Sequence, residues 1–423
     1  MGTDRPTHPE TVSLLRGRVV TPAAVLDDGV VVVDGPTIAW VGPADEVPQA
    51  WAGACPAPST ATLLPGLVDL HCHGGGGASF PDATTAAQVA TAADEHLRHG
   101  TTTLVASLVT APSDVLLTRT ALLADAADAG VVAGIHLEGP FLSHARCGAQ
   151  SPQDMQPGDP ALVAQVAHAA RGHLVTMTVA PEVAGVSSAA PAGQRVQPAD
   201  DDVLAALVRA GALPSLGHTD ADAPTVEAAA DRAFDLLATE PTARSGRATA
   251  THLFNGMRPV HHRDPGPVLA CLGAAARGEL VVELVADGTH LAPETVASVF
   301  ELVGADAIAL VTDAMAAAGM ADGDYQLGPM AVRVADGVAR IVQPDGAAGA
   351  IAGGVAHLLD VVRATVAAGV PLVDAVRAAS VTPAAVLGRH DLGGLVAGRR
   401  ADVVVVDDAL RPQRVLRAGA AIA

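Results

Sequence analysis

Along most of the chain, short apolar runs alternate with longer stretches in which Ala, Leu and Val recur at helical spacing. Short continuous apolar runs read as buried strands, and a period near 3.6 reads as amphipathic helix. The predicted strands are Thr62–Leu70, Thr101–Leu108, Val131–Leu137, Leu174–Val179, Ala212–Leu216, Ala248–Thr251, Leu280–Val285 and Ala307–Val311. Helices are predicted over Thr85–His99, Ser113–Ala129, Pro160–Arg171, Asp201–Ala210, Thr225–Leu237 and Pro293–Leu302, with only a short helical candidate at Pro267–Ala276. Strands that alternate with helices build a parallel sheet. Eight such units in roughly 250 residues suit a (β/α)8 TIM-like barrel. An open doubly wound sheet is the weaker reading, because no GxGxxG follows the first strand and no single switch point is visible.

The two ends of the chain carry a different pattern. Val19-Val20, Gly29–Val33 and Thr37–Val41 are β-branched runs separated by Asp-Asp-Gly, Asp-Gly-Pro and Gly-Pro. Turn residues between such runs mark short strands. Arg400–Asp408 and Arg414–Gly419 repeat this pattern near the other end. The expected organisation is a small β-sandwich domain built from both termini, residues 1–63 and 391–423, flanking a barrel at residues 64–390. The glycine run Gly74–Gly77 lacks the context of a phosphate cradle and is read as a flexible loop.

Composition narrows the function. Half of the 423 residues are hydrophobic but only 2% are aromatic, so the core is built from Ala, Val and Leu. The formal net charge is -20, which argues against nucleic acid and anionic membranes as partners. All 25 basic residues are Arg, and there is no Lys. That excludes Schiff-base chemistry, a P-loop lysine and a carbamylated lysine bridging two metals. Cys55, Cys72, Cys147 and Cys271 form no CxxC pair, and no apolar run reaches membrane-spanning length. The residues before Ser13 lack the pattern of a secretory signal. A cytoplasmic protein with reduced thiols is expected.

The chemistry is concentrated where apolar runs stop. His71 and His73, Glu138, His218, His252 and Asp313 each close or follow such a run. In a barrel, the carboxyl ends of the strands share one face, and that face holds the active site. His71 and His73 are two apart on a strand and point to the same side. Glu138 with His218 and His252 makes a set of two imidazoles and a carboxylate, which leaves an open position on a divalent metal. Asp313 is the candidate base. Zinc is the first choice, with iron, cobalt or manganese also suited to such ligands. One ion is expected, or two.

These motifs place the chain in a family. Pro65-Gly-Leu-Val-Asp-Leu-His-Cys-His-Gly74, His136-Leu-Glu-Gly-Pro-Phe-Leu142, Ser215-Leu-Gly-His-Thr219, Thr251-His-Leu-Phe-Asn-Gly-Met257, Ala286-Asp-Gly-Thr-His290 and Val311-Thr-Asp-Ala314 occur in order. Over nearly its whole length the chain resembles the amidohydrolase superfamily, and within it the N-acetylglucosamine-6-phosphate deacetylases. The resemblance implies metal-dependent removal of an acetyl group from a phosphorylated amino sugar by a homodimer. It implies that Glu138, His218 and His252 hold the principal metal, that His71 and His73 match a second-metal motif, and that Asp313 is the catalytic acid/base. It assigns Gln150, Asn255, Gly256, Arg263, His290 and the segment Ile351-Ala352-Gly353 to the substrate. Part of the phosphate site would come from the neighbouring subunit. Two positions depart from the family: Gln150 stands where His is frequent, and Gly256 where Ala is usual. Cys147 is read as an incidental loop thiol.

Other readings remain open at this stage. A different amidohydrolase would act on N-acetylgalactosamine 6-phosphate, an N-acyl amino acid or a cyclic amide. A non-catalytic scaffold would not be expected to keep every candidate ligand.

Overall fold

The computed structural model describes residues 12–188 and 201–423, so the reading made for the first residues of the chain lies outside it. Among the described residues, eight parallel strands form one sheet paired in chain order. They are β1 (Leu67–Cys72), β2 (Thr101–Leu108), β3 (Gly134–Glu138), β4 (Leu174–Val179), β5 (Leu213–Leu216), β6 (Ala248–Ala250), β7 (Leu280–Leu284) and β8 (Ile308–Leu310). The ring closes between β1 and the end of β8. Cys72 and Ala314 form a parallel bridge, the Asp313 N–H donates to the His71 carbonyl at 2.9 Å, and Thr312 Oγ1 donates to Asp69 at 2.6 Å. Every residue of all eight strands is buried. This explains why they read as continuous apolar runs and not as alternating ones.

Helices cover the outside, and polar residues at their starts fix where they begin. Thr85 caps Ala86–Arg98 in a reciprocal box with Gln88. Asp159, Asp202 and Asp222 accept backbone N–H groups at the starts of Pro160–Ala170, Val203–Arg209 and Ala223–Thr239. These caps satisfy amide donors that have no partner within the helix. The short helical candidate is a full helix, Gly266–Ala276. No helix among the described residues is long and apolar enough to cross a membrane.

The first predicted strand is two strands. Thr62–Pro65 joins a sheet made from the termini, while the barrel begins at Leu67. Gly66 makes the switch possible, since a side chain there would lie 2.2 Å from Thr102 Oγ1 and 2.6 Å from Asp402 Cβ. Among the described residues the terminal sheet has seven strands. It runs Ala420–Ala421, Pro412–Arg417, Val403–Val406, Thr62–Pro65, Val12–Val20, Val25–Asp34 and Thr37–Pro43. Its own core holds Val19, Val31, Val33, Ile38, Leu63 and Leu416.

A four-stranded antiparallel sheet, Gly323–Leu327, Met330–Ala335, Val338–Val342 and Ala348–Ile351, follows β8 and was not expected from the sequence. The glycine run after β1 forms a hairpin in which Gly74-Gly75 pairs with Ala78-Ser79. Gly76 and Gly77 turn it with φ of 59° and 82°, a conformation that glycine adopts without steric cost.

Candidate metal centre

The strand ends converge as the barrel requires. Glu138 is the last residue of β3, and its buried Oε1 lies 2.8 Å from both His218 Nε2 and His252 Nε2. On the other side of the same carboxylate, Oε2 lies 3.1 Å from His73 Nε2 and 3.8 Å from His71 Nε2. Asp313 Oδ1 lies 3.5 Å from His71 Nε2 and 3.3 Å from His73 Nε2. His218, His252 and Asp313 have φ of 46°, 26° and 48°. Left-handed backbone at residues other than glycine is uncommon and concentrates at functional sites. Here it turns each side chain off the end of its strand into the mouth.

The hydrogen bonds around these rings decide what they can bind. His71 Nδ1 faces Glu283 Oε2 at 3.1 Å, His73 Nδ1 the Ser107 carbonyl at 3.2 Å, and His218 Nδ1 the Arg146 carbonyl at 2.7 Å. A carboxylate or carbonyl oxygen only accepts, so each Nδ1 carries the proton. In the neutral rings each Nε2 then presents a lone pair. The lone pairs of His71 and His73 meet at 3.0 Å, and that of His218 meets a carboxylate. Such contacts repel unless a cation stands between them. Two buried groups offer this arrangement, Glu138/His218/His252 and His71/His73/Asp313, and within each group the ligand atoms lie within 4.8 Å of one another. Two imidazoles and a carboxylate, with outer partners that fix the ring orientation, fit a divalent metal.

The electrostatics point the same way. Burial would lower His71 and His73, but the carboxylates around them outweigh it: Asp313, Glu138 and Glu283 raise His71, and Asp313 and Glu138 raise His73. Burial would raise Glu138 and Asp313, but the imidazoles hold both below the ordinary carboxylate range. The site stabilises positive charge beside two carboxylates, as a cation site must. His136 is the exception. Burial drives it well below its usual value, and it sits neutral between Ser107 Oγ at 3.0 Å and Thr178 Oγ1 at 2.8 Å.

A cavity of about 330 Å³ opens onto these groups, within the size range of small-molecule sites. His73, Glu138, Gln150, His218, His252, Asn255, Gly256, His290, Asp313, Ile351 and Gly353 line it. His71 lies fully buried beneath, and Ala352 faces the core of the inserted sheet. Gly256 has φ of 60°, and a side chain there would come within 2.8 Å of His218 Nδ1. His290 Nδ1 pairs with Asp287 at 2.8 Å. Burial opposes the charged ring of His290, but Asp287 prevails and raises its pKa. Arg263 is exposed, with Nη1 2.8 Å from His262 Nε2, and lies outside the lining of this cavity.

Sequence reading missed two acids. Glu283 lies within β7, where it orients His71 and accepts the His252 N–H at 3.2 Å. An acid inside the run Leu280-Val-Val-Glu-Leu284 was the available signal. Asp69 is fully buried and pushed up to about 7, burial outweighing its hydrogen bonds from Thr312 and His71. A third group of possible ligands, Glu95, His99 and His357, lies away from the cavity lining. The rings of His99 and His357 stack 3.6 Å apart at 11°, so their in-plane lone pairs cannot meet at one ion.

Comparison with known proteins agrees with this geometry. The family model described as "Amidohydrolase family" matches residues 62–421. The chain belongs to the amidohydrolase family. It is therefore a hydrolase. It is 31% identical over 323 residues to the N-acetylglucosamine-6-phosphate deacetylase of Bacillus subtilis (strain 168), covering 75% of this chain and 74% of that one. It is 31% identical over 362 residues to the N-acetylgalactosamine-6-phosphate deacetylase of Shewanella sp. (strain ANA-3), covering 85% and 82%. Among solved structures it is similar to a mutant N-acetyl-D-glucosamine-6-phosphate deacetylase from Mycobacterium smegmatis in complex with N-acetyl-D-glucosamine-6-phosphate. That match has 38% identity and a TM-score of 0.84, and covers 97% of this chain and 99% of the other. The barrel with its small terminal β domain is the architecture of this amidohydrolase.

Proposed function

We propose that this amidohydrolase removes the acetyl group of N-acetylglucosamine 6-phosphate, giving acetate and glucosamine 6-phosphate. The observation that carries the reading is the placement of Asp313 beside two imidazoles, at the floor of a cavity that also opens onto Glu138, His218 and His252. The relatives described above support the substrate. Glu138, His218 and His252 would hold the principal ion, with zinc the first choice and iron, cobalt or manganese as alternatives. His71 and His73 would hold a second ion where one binds. When bound, the metal supplies Lewis acidity and acidifies a water in its open position.

The protein's own groups do the rest. Asp313, held as a carboxylate, takes the proton of the attacking water and returns it to the amide nitrogen as the C–N bond breaks. Asn255, Gly256 and His290 would contact the sugar phosphate, the backbone of Ile351, Ala352 and Gly353 would border it, and Gln150 lines the same cavity. A dianionic phosphate approaching a chain of charge -20 needs a focused cationic pocket. His290, whose charged form Asp287 favours, lines the cavity and would meet the phosphate, while Arg263 is exposed outside the lining. This supports a homodimer in which Arg263 of one subunit completes the phosphate site of the other. Cys55, Cys72, Cys147 and Cys271 are free thiols; a cytoplasmic location is the one we favour. We favour a small β domain built from residues 1–63 with 391–423 and a barrel over 64–390, with the first boundary moved to Gly66, where the chain leaves the terminal sheet.

The Shewanella relative favours a second reading, in which N-acetylgalactosamine 6-phosphate is the preferred substrate. Steady-state assays of metal-loaded protein on both sugar phosphates and on the free sugars decide between them. The reading expects the highest kcat/KM for N-acetylglucosamine 6-phosphate and a large loss without the phosphate. Equal rates on the free sugars, or full activity after chelation, would overturn it.

A further inference from the structure

We infer that Gln150 is a positioning residue for Glu138, fixing the carboxylate that both histidine groups share, and not chiefly a substrate contact. The inference rests on the metal-centre reading above and adds a role for a residue at which this chain departs from its family's pattern.

The geometry assigns the amide unambiguously. The Thr110 N–H is a donor and nothing else, and it lies 2.8 Å from Gln150 Oε1. That fixes the orientation of the amide and turns its NH2 toward Glu138 Oε2 at 2.6 Å. Both ends of the Gln150 side chain are thus bonded within the protein, and the residue is 3% exposed. Thr110 holds Glu138 a second time, because its Oγ1 donates to the Glu138 carbonyl at 3.0 Å. This approach requires the glycine that follows. Gly139 has φ of 93°, and a side chain there would sit 2.2 Å from Thr110 Oγ1. Thr110 and Gln150 therefore grip the backbone and the carboxylate of one residue.

The consequence is rotational. A carboxylate at the end of a Glu side chain turns easily about its last bond. With Oε2 held by Gln150, Oε1 stays directed at His218 and His252, and Oε2 stays beside His73. The loop that carries Gln150 also supplies the Arg146 carbonyl that fixes the His218 ring. One loop therefore sets the orientation of two of the three principal ligands. Outer contacts of this kind are worth about 10–100-fold in metal affinity when removed.

The test measures metal binding directly. Gln150→Leu and Gln150→Met remove the donor at similar size, and Gln150→His restores a donor and an acceptor. Competition between each stripped protein and a chelating indicator, with Zn2+ or Co2+, gives the dissociation constant. The two apolar variants should bind about 10–100-fold more weakly, and Gln150→His should recover most of that loss. Circular dichroism of the stripped proteins checks that all are folded; the apolar variant that folds carries the test. Wild-type affinity in the apolar variants, or a loss in KM for substrate with metal binding intact, overturns the proposal. A wild-type protein that binds no divalent metal would instead overturn the metal centre itself.

Discussion

Replacing Asp313 by Asn tests the catalytic reading with the least disturbance of the fold. The residue has φ of 48°, and Asn is among the few residues that adopt this conformation readily. Its N–H bond to the His71 carbonyl does not involve the side chain and survives. An Ala at the same position would add backbone strain of about 1–2 kcal/mol, mixing a folding defect with the chemical one. The Asn amide keeps the shape but cannot take a proton from water. A positioned general base contributes about 10²–10⁴-fold, or roughly 3–5 kcal/mol of barrier at 1.36 kcal/mol per decade. The Asp313 carboxylate lies against His71 and His73, while Glu138, His218 and His252 form the other group. The ion at the Glu138 group should therefore remain. The assay pairs acetate release under saturating sugar phosphate with elemental analysis of the same preparation. The expected result is a fall in kcat of two to four decades with metal still bound at the Glu138 group. Turnover within tenfold of wild type would refute the assignment of the base, and loss of all metal would show that the two ligand groups are not separable.

Three other outcomes follow from the geometry. Glu138→Gln should purify with little metal and little activity, because the carboxylate stands between both ligand groups; elemental analysis checks it. Arg263→Ala should raise KM for the phosphorylated sugar while leaving kcat nearly intact, and mixing it with an inactive Asp313→Asn partner should produce dimers with altered KM if the arginine acts across the interface. Asp360→Asn should be less stable than the wild type at neutral pH, by a margin that closes as pH falls. Burial would raise the Asp360 carboxyl, but its hydrogen bonds with His357 hold it at about 2. With the folded value below the ordinary value of about 3.9, the contribution is complete above about pH 4 and is lost as pH falls toward 2. Urea melts from pH 7 to pH 3 should show the gap between the two proteins closing only below about pH 4.

Much of this molecule was legible because a parallel barrel is buried on both sides of its strands. The run at β8 is continuous while Glu283 interrupts β7, and the residues that interrupt or end such runs are the ones we assign to the metal centre. Glu138, His218, His252 and Asp313 stood out as candidates because a charged or imidazole group after an apolar run needs a compensating partner, and the structure brings them to one mouth. Gly66 hid the switch from the terminal sheet to the barrel, since a glycine flanked by Pro65 and Leu67 does not interrupt an apolar pattern. The inserted sheet escaped notice although Asp336-Gly337, with φ of 51° and 72°, is a two-residue hairpin turn of the primed type. Its strands are short, and the two central ones have a buried face of only two residues each. The outward position of Arg263 could not be read at all, because a loop's direction is set by tertiary contacts and not by its residues.

The arrangement of hydrogen bonds around the imidazoles accounts for why the site is built from so many buried polar groups. A ring free to turn would relieve the contact between two Nε2 lone pairs by rotating or changing tautomer. Glu283, the Ser107 carbonyl and the Arg146 carbonyl remove that freedom at His71, His73 and His218. The protein thereby meets the cost of orienting its ligands during folding, and an arriving cation finds them already aimed. His252 differs, for its Nδ1 is buried without a hydrogen-bond partner and its N–H bond to Glu283 runs through the backbone. Its ring is held by packing, stacked 5.5 Å from His71 at 25°. Both rings that border Asp313, the base proposed above, are fixed by hydrogen bonds, whereas the Glu138 group has one ring fixed so and one held by contact.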